Sequence, residues 1–223
     1  MDDLHEEPAL GATFSGDPIE AFVGDEPGLP ASADGPTYRD YYAQKRRQTT
    51  TAGQLAAMLA AIVFSGAAAV VGTFIGSPFT TFGALGFLAI VTIGPAVEEV
   101  MKIAGVLYLA ERRPWLIPSW HWPMVIAAAS GLVFAAIENI LYINVYFPNE
   151  GAEFATLRWT VGPALHITTA VISSIGVSRM WRMTHTIGAP PSMAYARPFL
   201  ITAAVIHGLY NLTAVILEAA GLI

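Results

Sequence analysis

The chain has 223 residues, 54% hydrophobic and 13% charged, with a formal net charge of -6. That composition, with a positive mean hydropathy, belongs to a polytopic membrane protein, and the negative balance argues against a nucleic-acid partner. No cysteine is present, which excludes disulfides, thiolate catalysis and cysteine-ligated zinc.

The first 38 residues carry Asp2, Asp3, Glu6, Glu7, Asp17, Glu20, Asp25, Glu26 and Asp34 but no lysine or arginine. Proline and glycine are scattered through this stretch, and it has too little apolar surface to offset its ordering entropy. A disordered tail is therefore expected over 1–48, followed by a membrane domain over 49–223. The tail lacks the basic start and apolar run of a secretory signal.

A membrane crossing needs about 20 apolar residues. The first runs from Ala52 to Ile75, after the basic Lys45, Arg46 and Arg47, and Gly76-Ser77-Pro78 then predicts a tight turn. Residues 79–111 are nearly continuous and apolar, too long for one straight crossing. Gly94-Pro95 in their middle predicts a kink or a restart, so one broken span, or a shallow segment followed by a helix, would both fit. Further spans run from Trp122 to Phe147, Trp159 to Met180 and Pro198 to Leu217. The expected fold is an all-α transmembrane bundle of about five to seven membrane helices.

Orientation follows from the basic residues. Lys45, Arg46, Arg47, Arg112, Arg113, Arg179, Arg182 and Arg197 fall on one side of a five-span layout, and Arg158 on the other beside Glu150 and Glu153. The positive-inside rule then places the N-terminus in the cytoplasm and the C-terminus outside. Trp115, Trp120, Trp122, Trp159 and Trp181 cluster at span ends, as an interfacial belt does.

Inside these apolar spans stand Glu98, Glu99 and Lys102, then Glu138 with Asn139, then His166, and finally His207 with Asn211. A charge at the bilayer centre costs about 2.5–3.5 kcal/mol on insertion scales. At 1.5 Å of rise per residue, Glu98 lies roughly 20 Å along its helix from Arg112, Glu138 roughly 24 Å from Trp122, and His207 roughly 15 Å from Arg197. His166 lies roughly 10 Å from Trp159, so all four clusters share one layer at or beyond the midplane. Each has a plain packing explanation: an intrahelical Glu98–Lys102 pair, interhelical hydrogen bonds for Glu138, Asn139, His207 and Asn211, a satisfied core position for His166. Together, four costly placements at one depth point to an intramembrane active site.

The motifs Glu-Glu-x-x-Lys at 98–102, Phe-x-x-x-Glu-Asn at 134–139, His166, and His-x-x-x-Asn at 207–211 occur in this order, one per span. The pattern resembles the PrsW family of intramembrane proteases, relatives of the CAAX-prenyl protease and bacteriocin-processing superfamily. Lys102 and Glu138 stand where the CAAX relatives carry an arginine one position later and a histidine, which favours the PrsW branch.

The resemblance implies a multi-pass cell-membrane enzyme that hydrolyses a peptide bond of a membrane-anchored protein, such as an anti-sigma-factor-like regulator. It implies catalytic roles for Glu98, Glu99, Glu138, His166, His207 and Asn211, with Glu98 or Glu99 as the general base. In one mechanism His166, His207 and Glu138 hold Zn²⁺ and leave a position open for water. In the other, metal-free, a glutamate and a histidine activate water while His207 and Asn211 donate to the oxyanion. A non-catalytic scaffold subunit is the alternative within the same superfamily. A proton-coupled transporter fits less well, because no inverted repeat is detectable.

Overall fold

The computed structural model describes residues 37–76 and 83–221. Most of the acidic N-terminal stretch, and the turn expected after Gly76, lie outside the described residues. The described residues form helices α1 (Tyr38–Gln48), α2 (Thr51–Gly76), α3 (Ala84–Leu88), α4 (Gly94–Arg112), α5 (Trp122–Leu141), α6 (Ala152–Ile187) and α7 (Arg197–Ala219). Wide π-helical turns extend α3 through Ala89–Ile93 into α4, and α5 through Tyr142–Tyr146.

Among the described residues, four segments are long and apolar enough to cross a membrane: Thr51–Ala68, Trp122–Tyr146, Ala152–Ile187 and Met193–Ala219. Their outward faces carry exposed Leu55, Leu59, Val63 and Phe64 on α2, Leu132 and Ile140 on α5, and Ile201, Val205 and Leu209 on α7. Unpartnered apolar faces of this extent suit contact with acyl chains. Helix α4 covers the far half of the apolar stretch 79–111, but its charges keep it below that hydropathy. It is the central element, packed against α2, α5, α6 and α7.

Composition assigns residues 38–48 to the tail, yet they form α1. Asp40 in its first turn and Lys45, Arg46 and Arg47 in its last complement the helix dipole. Tertiary contacts order it further. Arg46 donates from Nη1 to the carbonyls of Trp115 (2.9 Å) and Ile117 (2.7 Å) and from Nη2 to that of Pro118 (2.8 Å). Arg39 reaches the Ile187 carbonyl at 2.9 Å, and the Tyr42 hydroxyl lies 3.0 Å from His185 Nδ1. Burial pushes the Tyr42 phenol above its ordinary pKa, so the hydroxyl stays protonated.

The π turn before α4 has a covalent cause. Pro95 has no N–H to give the Val91 carbonyl, and the Gly94 N–H bonds Ala89 five residues back instead. The opened turn is met by α7: Asn211 Nδ2 donates to the Ile90 carbonyl at 3.0 Å, and Gly208 lies directly against the Val91 carbonyl. Any Cβ at Gly208 would overlap that oxygen.

Below the polar layer Met58, Ile103, Val106, Ile126, Val177 and Met180 form a buried apolar core, closed by Trp181, whose Nε1 donates to the Pro114 carbonyl at 2.8 Å. Small and hydroxylated residues set the helix crossings. Ser65 on α2 accepts the Gly105 N–H at 2.7 Å, and Ser130 on α5 donates to the Lys102 carbonyl at 2.7 Å.

Gly131 on α5 lies directly against the backbone of α6. A Cβ there would stand 2.7 Å from the His166 carbonyl oxygen and 3.2 Å from Ala170 Cβ. Backbone cannot swing aside as a long side chain can, so Gly131→Ala must push α6 outward at the level of His166. Overpacking of this kind costs about 1–3 kcal/mol. The expected result is a lower unfolding midpoint in detergent together with reduced activity; an unchanged midpoint would show that α5 and α6 are not held at this distance.

Candidate active site

Helix geometry explains how four helices bring their polar residues together. On α4, Glu99 and Lys102 are three apart and share a face, while Glu98 is turned about 100° from Glu99. Both glutamates and the lysine are buried, Glu99 and Lys102 completely, at 0% exposure. Helix α5 contributes Glu138, α6 contributes His166, and α7 contributes His207, each also buried.

Lys102 ties the cluster together. Its Nζ lies 2.5 Å from Glu99 Oε1, 3.1 Å from His166 Nδ1 and 3.3 Å from Thr169 Oγ1. An ammonium only donates, so His166 Nδ1 is an acceptor and the ring proton sits on Nε2. That Nε2 is 3.0 Å from Glu138 Oε2, to which it donates. His207 makes the matching arrangement with another carboxylate, Nδ1 being 2.8 Å from Glu99 Oε1 and Nε2 3.7 Å from Glu98 Oε2. Each imidazole thus has its own orienting carboxylate: Glu138 for His166, Glu99 for His207.

The two imidazoles lie edge to face with ring centroids 5.1 Å apart. Phe134 presses on His166 edge to face at 4.6 Å and lies 5.4 Å under Lys102 Nζ. These contacts restrict ring rotation and give the lysine a polarisable neighbour.

One ligand atom from each of Glu98, His166 and His207 lies within 4.8 Å of the others. Two imidazoles and a carboxylate are the donor set of catalytic zinc sites. Two features fit a cation there. Histidine ligands commonly give their second nitrogen to a carboxylate, as both do here. Among the site residues, three carboxyl groups (Glu98, Glu99, Glu138) face two basic ones (Lys102, Arg158), leaving one negative charge for a cation to offset. Lys102 keeps Glu99 and Thr169 as acceptors if it leaves His166 Nδ1.

Five of the six expected residues come together: Glu98, Glu99, Glu138, His166 and His207. Glu138, expected as a metal ligand, lies behind His166 as its acceptor, and Glu98 stands in the converging trio instead. Asn211 spends an N–H on the Ile90 carbonyl, at the edge of the cluster. Asn139 is fully buried and donates to the Arg158 carbonyl at 2.8 Å. Sequence reasoning missed Arg158, whose Nη2 donates to Glu138 Oε2 at 2.7 Å. The available signal was its spacing, two helical turns ahead of His166 on one helix.

A membrane-spanning bundle with a buried carboxylate–imidazole–lysine cluster at its centre has the makeup of an intramembrane enzyme. The model of the PrsW family intramembrane metalloprotease matches residues 48–223. The chain belongs to this family and is a multi-pass membrane protein of intramembrane-protease type. Neither the curated proteins nor the solved structures contain a match.

Proposed function

We propose that the chain hydrolyses a peptide bond of a membrane-anchored protein at the centre formed by Glu98, His166 and His207. The observation that carries this reading is the convergence of three donor atoms from three helices within 4.8 Å, with a second carboxylate behind each imidazole. Those three residues would hold a divalent cation, and the donor types favour zinc. When bound, such a cation supplies Lewis acidity and lowers the pKa of a neighbouring water.

The chain's own groups do the rest. Glu99 Oε1 is occupied by Lys102 and His207, whereas its Oε2 has no hydrogen-bond partner among the described residues. That oxygen is the general base, taking a proton from the attacking water. The water oxygen adds to the scissile carbonyl carbon, the proton passes from Glu99 to the departing nitrogen, and the C–N bond breaks to a carboxylic acid and an amine, the acid's remaining water proton then passing to the amine. Lys102 holds Glu99 in place, and Glu138 fixes the His166 ring.

The basic-residue asymmetry supports a cytoplasmic N-terminal segment over 1–48, an outside C-terminus, and a site in the outer half of the bilayer. A single-pass regulator of the anti-sigma-factor kind, cut near its outer end, suits that placement, and kinship with the CAAX-protease superfamily belongs to the same reading. One observation favours a metal-free variant: Lys102 Nζ sits on His166 Nδ1, the nitrogen a cation would take.

The test is the full chain in liposomes with a panel of single-pass membrane peptides. Expected are one defined new N-terminus, about one bound zinc per chain, and cleavage lost with chelator and restored by zinc. Cleavage that persists without metal selects the metal-free variant. A zinc-loaded protein that cuts none of the peptides returns the scaffold alternative.

A further inference from the structure

Arg158 enters helix α6 from the end opposite to the other basic residues, and its guanidinium reaches down to the site. Its Nη2 donates to Glu138 Oε2 at 2.7 Å, the same oxygen that accepts His166 Nε2–H at 3.0 Å. Its Cζ lies 4.0 Å from the ring centroid of Tyr142, in the wide turn that follows α5. The Arg158 backbone is also fixed, its carbonyl accepting from Asn139 Nδ2 at 2.8 Å. Glu138 and Asn139 are adjacent, so one step of α5 grips both the side chain and the main chain of Arg158.

This grip has a consequence for the imidazole. A lone carboxylate on a flexible stem could offer either oxygen to His166 at several angles. With the guanidinium stacked on Tyr142 and bonded to Oε2, the carboxylate is confined and His166 Nε2–H has one place to point. Lys102 on Nδ1 already requires the Nε2–H tautomer; what the clamp adds is the direction in which that N–H, and so the whole ring, points. The side chain of Arg158 is 15% exposed, so it also separates this network from the surroundings.

We infer that Arg158 is a positioning residue, which sets the orientation of the His166 ring by clamping Glu138. For its catalytic consequence the inference rests on the proposed protease reading. For its structural consequence it does not.

The experiment uses the full chain in detergent with ¹⁵N-labelled histidine, comparing wild type with Arg158→Gln, Arg158→Lys, Glu138→Gln and the double Arg158→Gln/Glu138→Gln variant. Wild-type His166 is expected to show a protonated Nε2 and an unprotonated Nδ1. Arg158→Gln should shift and broaden the His166 Nε2–H signal while Nδ1 stays unprotonated, and leave the His207 signals in place, with Arg158→Lys partly restoring the wild-type pattern. Zinc affinity, by chelator competition, should fall about 10- to 100-fold in Arg158→Gln, the usual cost of losing an outer partner. The double variant should fall no further than Glu138→Gln alone. Turnover of a cleaved peptide should drop at unchanged KM.

Unaltered His166 signals in Arg158→Gln, or a further loss in the double variant, would reduce Arg158 to a clasp between α5 and α6. Should Arg158→Gln not fold, Tyr142→Leu removes the platform under the guanidinium and must shift the same His166 signals; if it does not, the inference fails. A wild-type chain that cuts nothing sinks the protease reading, while the histidine signals still decide the role of Arg158.

Discussion

Glu98→Gln is expected to abolish metal retention and to lower cleavage by more than about 100-fold, beyond what losing an outer partner costs. Unlike Glu99, this residue is not the ion-pair partner of Lys102, so the lysine keeps its carboxylate. The substitution also takes one negative charge from a site where three carboxyl groups oppose two basic ones. The metal-free variant should therefore unfold no earlier than the metal-free wild type, and a higher midpoint is the expected direction. Loss of function joined to equal or greater stability is what separates a functional carboxylate from a packing one. Zinc content, cleavage rate and unfolding midpoint on one preparation check all three parts. A variant that keeps its zinc and its rate would remove Glu98 from the centre.

Lys102→Met should produce the largest loss of stability. The ammonium is wholly buried and serves Glu99, His166 and Thr169 at once. Its removal leaves the buried Glu99 with one neutral donor, His207. Breaking a buried pair by deleting one partner costs about 3–5 kcal/mol, because the remaining charge is uncompensated. Adding Glu99→Gln should recover most of that loss, since the double variant buries neither charge. Equilibrium unfolding in mixed micelles measures both effects. If the single variant loses less than the double, the pair is not electrostatically coupled.

The depth and order of the polar residues were legible because expensive residues in apolar runs stand out, and four helices placed them in one layer. Which carboxylate does what was not legible. The resemblance puts Glu138 as the third ligand and Glu98 or Glu99 as the base; the rotation of α4 and α5 about their axes instead brings Glu98 to both histidines and leaves Glu138 behind one. Asn211 shares a face with His207, yet its amide serves the π turn at Ile90. That turn arises from a proline four residues beyond Val91 and shows no hydrophobic period of its own. Arg158 was hidden by the charge pattern: as a basic residue at a span end it was absorbed by the asymmetry argument, and a long side chain can satisfy that pattern and still reach inward.

Helix α6 begins at Ala152, seven residues before the apolar run that starts at Trp159, because Glu153 and Arg158 interrupt the hydropathy without interrupting the helix. Residues 38–48 illustrate the converse. Composition speaks for a loose chain, and long-range bonds from Arg39, Tyr42 and Arg46 order it.

The central place of α4 bears on how the protein is made. When Arg112 has just emerged from the ribosome into the translocon, α4 carries Glu98, Glu99 and Lys102, while Glu138, Arg158, His166 and His207 are still inside the ribosome or not yet made. Glu99 and Lys102 can pair within the helix, but Glu98 has none of its later neighbours and faces an insertion cost of about 2.5–3.5 kcal/mol. The nascent α4 is thus better served by waiting at the channel or the headgroup region, and its entry into the bilayer becomes a late event, cooperative with arrival of the C-terminal helices. A chain truncated after α4 should accordingly leave that helix outside the hydrocarbon, although the same nineteen residues are the centre of the finished fold.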